Sequence, residues 1–537
     1  MKNNSNIVAR YLPERTFQHS GNALLVPCEA TEIKAVVSTL MQADLPLVVM
    51  FGTDERAAHA AFVIHYVFGL PAIPALHAQA DKAGVAGQAL FIVPTLLLAD
   101  TTSFPSLARE FPRLALYERE IMTMLGLKAV RHPDPRSIGM HEENWPAHQY
   151  PLRKDFNWNA RIPETHAGDY RFNRVGGEGI YEIPVGPIHA GIIEPGHFRF
   201  SVAGEEIVAL EARMGWVHKG VEKLLENSST EKQLKIVEHI SGDSAFSHSL
   251  AFCQALETLS GAKVPRRAQY LRVMFAELER LTMHIFDIGN IAGAGTGFSF
   301  MAAQGFRMVE DLRQMSASLS GHRFLRGINT PGGITRDITA VQTAILGNFF
   351  SALRRDFTEM ISIAKTSASL AGRLKGTGVL PAHVVRDYGA VGIAARCNEV
   401  AKDARLEYPY AAYGDLVPEI QLTEAGDVDA RFQLRIKEVY ESFRLIEQVL
   451  TTLPAGHIKV TMPELPAEGL GVGLVEGWRG EIAYVVKLEN GAISRVKVRD
   501  PSFINWQLLS HLSSTDMVPD FPLINKSFDL SYSGNDL

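Results

Sequence analysis

A chain of 537 residues is too long for one ordinary hydrophobic core, so two or three domains are the starting expectation. Its composition is that of a globular protein, 46% hydrophobic and 21% charged, and a net charge of −6 without basic clusters argues against nucleic acid as the main partner. Three scattered cysteines, Cys28, Cys253 and Cys397, provide neither a disulfide framework nor the four thiolates an iron–sulfur cluster typically takes.

The first residues, MKNNSNIVARYLPERTF, lack the apolar run of a secretory signal. Apolar runs at Leu45–Thr53 and Gln88–Ala99 read as buried strands, and RAAHAAFVIHYVFG (Arg56–Gly69) between them has helical spacing. The most apolar stretch, 89–99, is interrupted by Pro94 and is far short of the ~20 residues that span a bilayer, so membrane contact is expected to be peripheral or through partners. Residues 131–178, rich in Pro, His, Asn, Arg and Gly, show no sustained periodicity; they read as an extended linker expected to order on another subunit. Within it HEENWPAH (His141–His148) does not space its histidines i, i+4, and Pro146 breaks any helix, so a metal site there is disfavoured.

GPIHAGIIEPGHF then places His189 and Glu194 in a Gly/Pro-punctuated loop before a hairpin that begins with HFRFSV. A histidine and a glutamate close together could relay protons, each shifting the other's pKa, against the alternative of ordinary loop hydrogen bonding. In WVHKGVEKLLE, His218 and Glu222 fall i, i+4 on one predicted helix face, where a solvated ionic face is the simpler reading. Helical patterns follow near 231–260, 266–288, 300–319, 337–370 and 428–450. GNIAGAGTGF carries a GxGxG string but follows a helical pattern instead of a strand, which favours close helix packing over a nucleotide loop. Near the end, EIAYVVKLENGAISRVKVRD reads as a hairpin turning at Asn490-Gly491.

LALYEREIMTMLGLKAVRHPDPRS (Leu114–Ser137) and YPLRKDF (Tyr150–Phe156) resemble the 30 kDa-type subunit of respiratory complex I. From Pro184 onward the ordered landmarks VGPIHAGIIEP, MGWVHKGVEKLLE, VEHISGDSAFSHSLAFCQALE, YLRVMFAELERLTMHIFDIG, GHRFLRGINTPGG, DARLEYPYAAYGD and VRDPSFINWQLL resemble the 49 kDa-type subunit. That subunit shares its fold with the large subunit of group 4 nickel–iron hydrogenases, and the variants here resemble the formate hydrogenlyase branch most. The resemblance implies an α+β chain: a 30 kDa-type α/β domain over residues 1–130, the linker over 131–178, and a mainly α-helical hydrogenase-large-subunit-like domain with flanking β-sheets over 179–537.

The chain departs from the hydrogenases at the metal ligands. Ser241, Ser244, Ser531 and Gly534 stand where their four cysteines fall. A serine hydroxyl is not ionised near neutral pH and cannot replace a soft thiolate, so no cofactor is expected in this chain. The aspartate the family carries near Ala294 and Gly295 is also missing, and the tyrosine expected of complex I is replaced by Glu238 or His248.

The resemblance further implies a partner small subunit with a [4Fe–4S] cluster, a ferredoxin-like subunit, integral membrane subunits, and a peripheral place on the cytoplasmic face of the inner or plasma membrane. The expected activity is electron transfer to an acceptor, with quinone as a candidate, coupled to ion movement, and the isolated chain is expected to be inactive. His189, Glu194, His218 and Glu222 would be proton donors or relays. Arg326 and the Asp403/Arg405 pair match the family pattern either as catalytic groups or as buried ion pairs. The rival expectation is a non-redox scaffold retained for assembly or conformational coupling.

Overall fold

The computed structural model describes residues 8, 10–71, 90–163, 165, 168, 170–189, 193–512 and 516–537. Strands β1 (Gln18–Ser20), β2 (Ala23–Cys28), β3 (Leu47–Glu55), β4 (Ala61–Leu70) and β5 (Leu90–Leu98) form one sheet in the order β1-β2-β5-β4-β3. β2 and β5 run parallel and the other neighbours antiparallel. Helices α1 (Ile33–Gln42) and α2 (Ala115–Leu125) add Val36, Leu40, Ile121 and Leu125 to its core. The parallel pair β6 (Ser103–Pro105) and β7 (Lys128–Val130) flanks α2.

The run at 56–69 is not a helix. One helical turn at Arg56–His59 stops at Ala60, whose φ of 53° is left-handed, and β4 follows. All ten residues of β4 are buried, so the apolar–polar alternation that betrays a strand is missing.

Strands β8 (Ile180–Val185), β9 (His197–Ala203) and β10 (Glu206–Arg213) make an antiparallel sheet in the order β10-β9-β8. The segment 131–178, without helix or strand among its described residues, is anchored on this sheet. Arg136 pairs with Glu211 at 2.6 Å, Glu143 with Arg213 at 2.7 Å, and His141 Nε2 donates to the Met214 carbonyl at 2.8 Å. The Tyr170 ring has the guanidinium groups of Arg136 and Arg213 at 5.1 and 4.0 Å. The described residues of the segment thus have contacts on their own chain, besides whatever another subunit supplies.

The helical part comprises α3 (Val221–Glu226), α4 (Thr230–Val237), α5 (Ala245–Ser260), α6 (Arg266–Thr296), α7 (Ser299–Ser320), α8 (Ala340–Lys365) and α9 (Val428–Thr452), with a two-stranded β11 (Asn329–Thr330) and β12 (Gly333–Ile334). α6 packs against both α7 and α9. The GxGxG string, 293–297, ends α6, with Gly297 as its left-handed cap at φ 81°. A Cβ on Gly293 would collide with Ala302 of α7, and one turn earlier a Cβ on Gly305 of α7 would come 2.9 Å from the Gly289 Cα, so the missing side chains let the two helices close up.

The last sheet, β13 (Gly469–Glu476), β14 (Glu481–Glu489) and β15 (Ala492–Arg499), is antiparallel. Its Leu470, Val472, Leu474, Ala483 and Val485 join the same core as the first sheet, and the Asn22 amide exchanges two hydrogen bonds with the Val472 backbone at 2.9 and 3.0 Å. Short helices α10 (Pro501–Asn505), α11 (Phe521–Phe528) and α12 (Tyr532–Asp536) follow.

Candidate functional site

The helical pattern of 231–260 is interrupted at 238–244, and the interruption displays Ser241, Asp243 and Ser244. α5 restarts there because Glu279 of α6 reaches across to its first turn, accepting from the Phe246 N–H at 2.8 Å and from the Ser247 N–H at 3.1 Å. Burial pushes the Glu279 carboxyl up to about 7 in spite of these donors. Opposite, Ser531 caps α12 by accepting the Gly534 N–H at 2.8 Å, and Asp500 caps α10 by accepting the Ser502 N–H at 2.8 Å.

These helix starts bring together the four positions where the resemblance puts cysteines. Ser241 Oγ lies 2.9 Å from Ser531 Oγ and donates to Asp243 at 2.6 Å; Ser244 Oγ donates to the same carboxylate at 3.3 Å. Arg479 grips Asp243 with two nitrogens at 2.6 and 2.8 Å, and the Trp478 indole donates to Ser244 Oγ at 3.1 Å. Burial pushes the Asp243 carboxyl up, but Arg479 and the two serine hydroxyls outweigh it and hold it at about 2.

At the fourth position a Cβ on Gly534 would lie 2.6 Å from the Asp500 carboxyl carbon. Asp500 is itself held by His248 Nε2 at 3.1 Å, and His248 Nδ1 meets the Tyr484 hydroxyl at 3.0 Å. A hydroxyl pair and two engaged carboxylates do not fit a thiolate-held nickel–iron centre. Among the described residues no group of three or more His, Cys, Asp or Glu is placed to hold a metal ion. Cys28, Cys253 and Cys397 are buried and unpaired elsewhere.

From Ser531 the hydroxyl contacts continue to Ser533 Oγ at 3.4 Å, and the Ser533 N–H donates to Glu194 at 3.1 Å. Ser241, Ser531 and Ser533 are buried, whereas Glu194 is exposed and Asp243 keeps 28% of its side chain open. His189 is half-buried and donates from Nε2 to the Gly196 carbonyl at 2.8 Å, so it and Glu194 share a loop but make separate hydrogen bonds.

The remaining predicted residues lie apart. Gly220, at φ 69°, precedes the first residue of α3, which leaves His218 in the loop before it; His218 and Glu222 therefore share no helix face, contrary to the i, i+4 expectation. His218 Nδ1 donates to the Asp536 carbonyl at 2.6 Å, and burial lowers its pKa. Glu222 is buried against Arg495 at 2.7 Å and Lys497 at 3.2 Å, and Lys497 also binds Glu120 of α2 at 2.6 Å, a cluster that ties α2, α3 and β15 together. Arg326 Nη1 contacts His239 Nε2 at 2.9 Å, and Arg326 Nη2 lies 3.6 Å from where a Gly242 Cβ would be, at the rim of the serine cluster. Glu238 accepts the Gly327 N–H nearby at 2.8 Å.

Asp403 and Arg405 belong to a buried ion network. Arg405 reaches Asp403 at 2.6 Å, Glu277 at 3.1 Å and Glu438 at 3.3 Å. Arg396 binds Glu476 at 2.7 Å and Glu438 at 3.0 Å, and Arg280 binds Glu438 at 2.5 Å. Hydroxyls of Tyr413 and Ser442 complete Glu277, each at 2.6 Å. Asp243, Arg479, Trp478 and Asp500 are site residues that sequence reasoning misses. Asp243 and Asp500 stand inside family landmarks, whereas Arg479 lies in no motif at all.

The chain matches the family described as respiratory-chain NADH dehydrogenase, 30 Kd subunit over residues 26–161, and that of the 49 Kd subunit over 293–468 and 463–536. Formate hydrogenlyase subunit 5 of Escherichia coli (strain K12) is 32% identical over 495 residues, 91% of this chain and 84% of that protein. Hydrogenase-4 component G of the same strain is 31% identical over 497 residues, 91% and 83% of the two chains. The fused C/D component of the NADH-quinone oxidoreductase of Phocaeicola vulgatus is 30% identical over 400 residues, 70% and 76% of the two. Among solved structures, a chain of the membrane-bound sulfane sulfur reductase, an archaeal respiratory membrane complex, superposes with a TM-score of 0.63 at 25% identity, covering 67% of this chain and 99% of that one. The protein belongs to the family of fused 30 kDa/49 kDa-type complex I subunits that includes the formate hydrogenlyase and hydrogenase-4 components, and it lacks the cysteine clusters that bind metal. Among the described residues no helix is long and apolar enough to cross a membrane.

Proposed function

We propose that this chain is the core subunit of a membrane-associated oxidoreductase complex and handles protons for a reaction whose electrons come from an iron–sulfur cluster in a partner small subunit. The observation behind this reading is the buried file of hydroxyls, Asp243–Ser241–Ser531–Ser533, which starts at a partly open carboxylate and ends next to the exposed Glu194, held there by the Ser533 backbone N–H. A hydroxyl can donate and accept at once, so a file of them can pass a proton by turning in sequence. Serine in place of cysteine thus exchanges a metal-binding cluster for a proton route.

The relatives' names carry formate hydrogenlyase, hydrogenase and NADH-quinone oxidoreductase, which support a redox assembly. In this reading the assembly also has a ferredoxin-like subunit and integral membrane subunits that move ions, with this chain peripheral on the cytoplasmic side. Quinone is the acceptor the last of these names supplies. In this reading Glu194 is the relay at the outer end and His189 the second candidate in its loop. Arg326 orients groups at the rim, while Glu222, Asp403 and Arg405 hold elements together. His218, bound to the turn that carries Asp536, belongs to neither set.

Glu194→Gln in the assembled complex tests the reading, because the amide oxygen can still accept from the Ser533 N–H but carries no proton. Positioned acid–base groups contribute on the order of 10²–10⁴-fold, and acceptor reduction is expected to fall within that range with subunit stoichiometry unchanged. Wild-type turnover in the fully assembled variant removes Glu194 from the reaction and favours the scaffold role.

A further inference from the structure

Three of the five tryptophans of the chain line one cavity away from the serine cluster. It has a volume of about 460 Å³ and lies between the 139–162 stretch and the loop before α3, walled by Trp145, Trp158, Trp216 and Phe156 with His141 and His218. That volume is within the roughly 300–1,000 Å³ of small-molecule pockets. Trp216 is packed edge-on against His141 with ring centroids 4.3 Å apart, which fixes one wall.

The polar atoms of this wall have a definite sense. The Trp145 indole donates to the Gln149 carbonyl at 2.8 Å and that of Trp216 to the Arg213 carbonyl at 3.1 Å, so these two rings offer a ligand apolar surface and no N–H. His141 Nε2 and His218 Nδ1 each point at a backbone carbonyl, at 2.8 and 2.6 Å. A carbonyl oxygen only accepts, so each ring carries its proton on that nitrogen. Burial disfavours a second proton on either ring. His141 Nδ1 and His218 Nε2 therefore remain as acceptors without a donor among the described residues. The nearby lysines do not supply one: Lys219 Nζ donates to the His239 and Ile240 carbonyls, both at 2.8 Å, and Lys223 Nζ to the Arg153 carbonyl at 2.8 Å.

We propose that this cavity binds a planar aromatic molecule bearing hydroxyl or ring N–H donors, its ring against the tryptophans and its donors on the two imidazoles. A ring of the same shape without donors would cover both imidazole lone pairs and leave them unpaired, so the cavity should discriminate between the two.

The test titrates the full-length chain by equilibrium dialysis with 2,6-dihydroxynaphthalene and, in parallel, with its dimethyl ether. Saturable binding of one diol per chain is expected, with the ether at least about tenfold weaker. His218→Phe keeps a ring in the wall and removes one acceptor, so it should lower diol affinity about tenfold and leave the ether unchanged. Because His218 also holds the Asp536 carbonyl, Trp158→Ala serves as a second variant; that residue is 44% exposed, and loss of its ring should weaken the diol without unfolding the chain. No saturable binding, equal affinity for diol and ether, or diol binding untouched by Trp158→Ala would each overturn the assignment.

Discussion

Two buried polar clusters in this chain are built on opposite plans. Around Arg405, three guanidinium groups and four carboxylates interlock as ion pairs, all at 0–2% exposure. Around Ser241 the contacts run hydroxyl to hydroxyl, from a partly open Asp243 held by Arg479 to a buried Ser533 whose backbone N–H meets the exposed Glu194. A guanidinium cannot give up its proton and locks its partners in place. A hydroxyl rotates and can exchange donor and acceptor roles. The first plan fixes helices α6 and α9 and strand β13 relative to one another; the second leaves a route. In the function proposed above, the family pattern at Asp403 and Arg405 goes with architecture, and the change from cysteine to serine with chemistry.

The largest effect expected from this contrast is in the ion network. Arg405→Met leaves Asp403, Glu277 and Glu438 short of a counter-charge in the interior, and breaking a buried pair from one side costs about 3–5 kcal/mol. Against a total stability of roughly 5–15 kcal/mol, that should abolish soluble expression or sharply lower the urea midpoint. A variant with the wild-type midpoint would mean that the network contributes little to the fold.

Glu118 of α2 belongs to neither plan, and its pH response sharpens the comparison. Its oxygens accept from Ser106 Oγ and the Leu107 N–H, and burial pushes it up to about 7 in spite of them. His132 Nε2 lies 3.8 Å away but donates to the Ala115 carbonyl, and its Nδ1 accepts the Asp134 N–H, so the ring is neutral and brings no charge. Since the folded-state pKa lies above the unfolded value of ~4.3, Glu118 contributes fully to stability below that value and loses the contribution as pH rises through about 7. Glu118→Gln should be more stable than wild type at pH 8, on the order of 3 kcal/mol, and indistinguishable or weaker at pH 4.5. Urea titrations at the two pH values check the sign.

A smaller effect is expected where the serine cluster meets α12. Gly534→Cys drives a Cβ into the Asp500 carboxyl, which His248 and the Ser502 N–H hold in place, and overpacking of this kind costs about 1–3 kcal/mol. The variant with cysteine at 241, 244, 531 and 534 should accordingly contain no stoichiometric nickel by elemental analysis, even from a host that matures hydrogenases. Nickel near one equivalent would show that the cluster can still open into a metal site.

What is legible in the sequence follows the range of the forces involved. The β14–β15 hairpin is legible because Asn490 and Gly491 alone supply the left-handed turn, at φ 53° and 77°. The passage of α6 through its glycines is legible because no strand precedes them. β4 reads as a helix because a strand buried on all ten residues has no period, and no residue type announces the turn at Ala60. The break between α4 and α5 is hidden by helical patterns on either side of it. At the site, family resemblance locates the four ligand positions, but Asp243 and Arg479 are 236 residues apart in sequence, and only folding shows that they pair. The collision between Gly534 and Asp500 is invisible for the same reason.

The smallest structural change gives the sharpest test of the contrast. Ser531 does two jobs: its hydroxyl caps α12 through the Gly534 N–H, and it links Ser241 to Ser533. Ser531→Ala removes both, and loss of the cap alone should cost about 1 kcal/mol. Ser531→Thr keeps a hydroxyl and a competent cap, so both stability and turnover should survive it. Ser533 separates the two jobs. Its hydroxyl contacts Ser531 at 3.4 Å, while its bond to Glu194 comes from the backbone N–H and persists in any side-chain variant. Ser533→Ala leaves the cap in place and gives up one long buried contact, so it should cost less stability than Ser531→Ala, yet slow acceptor reduction by the assembled complex. If turnover across the three variants follows the hydroxyls, falling in Ser531→Ala and Ser533→Ala alike while the first loses more stability, the file carries protons. If turnover instead follows stability and Ser533→Ala behaves as wild type, the serines only cap helices, and the cluster is structural in the same sense as the arginine network.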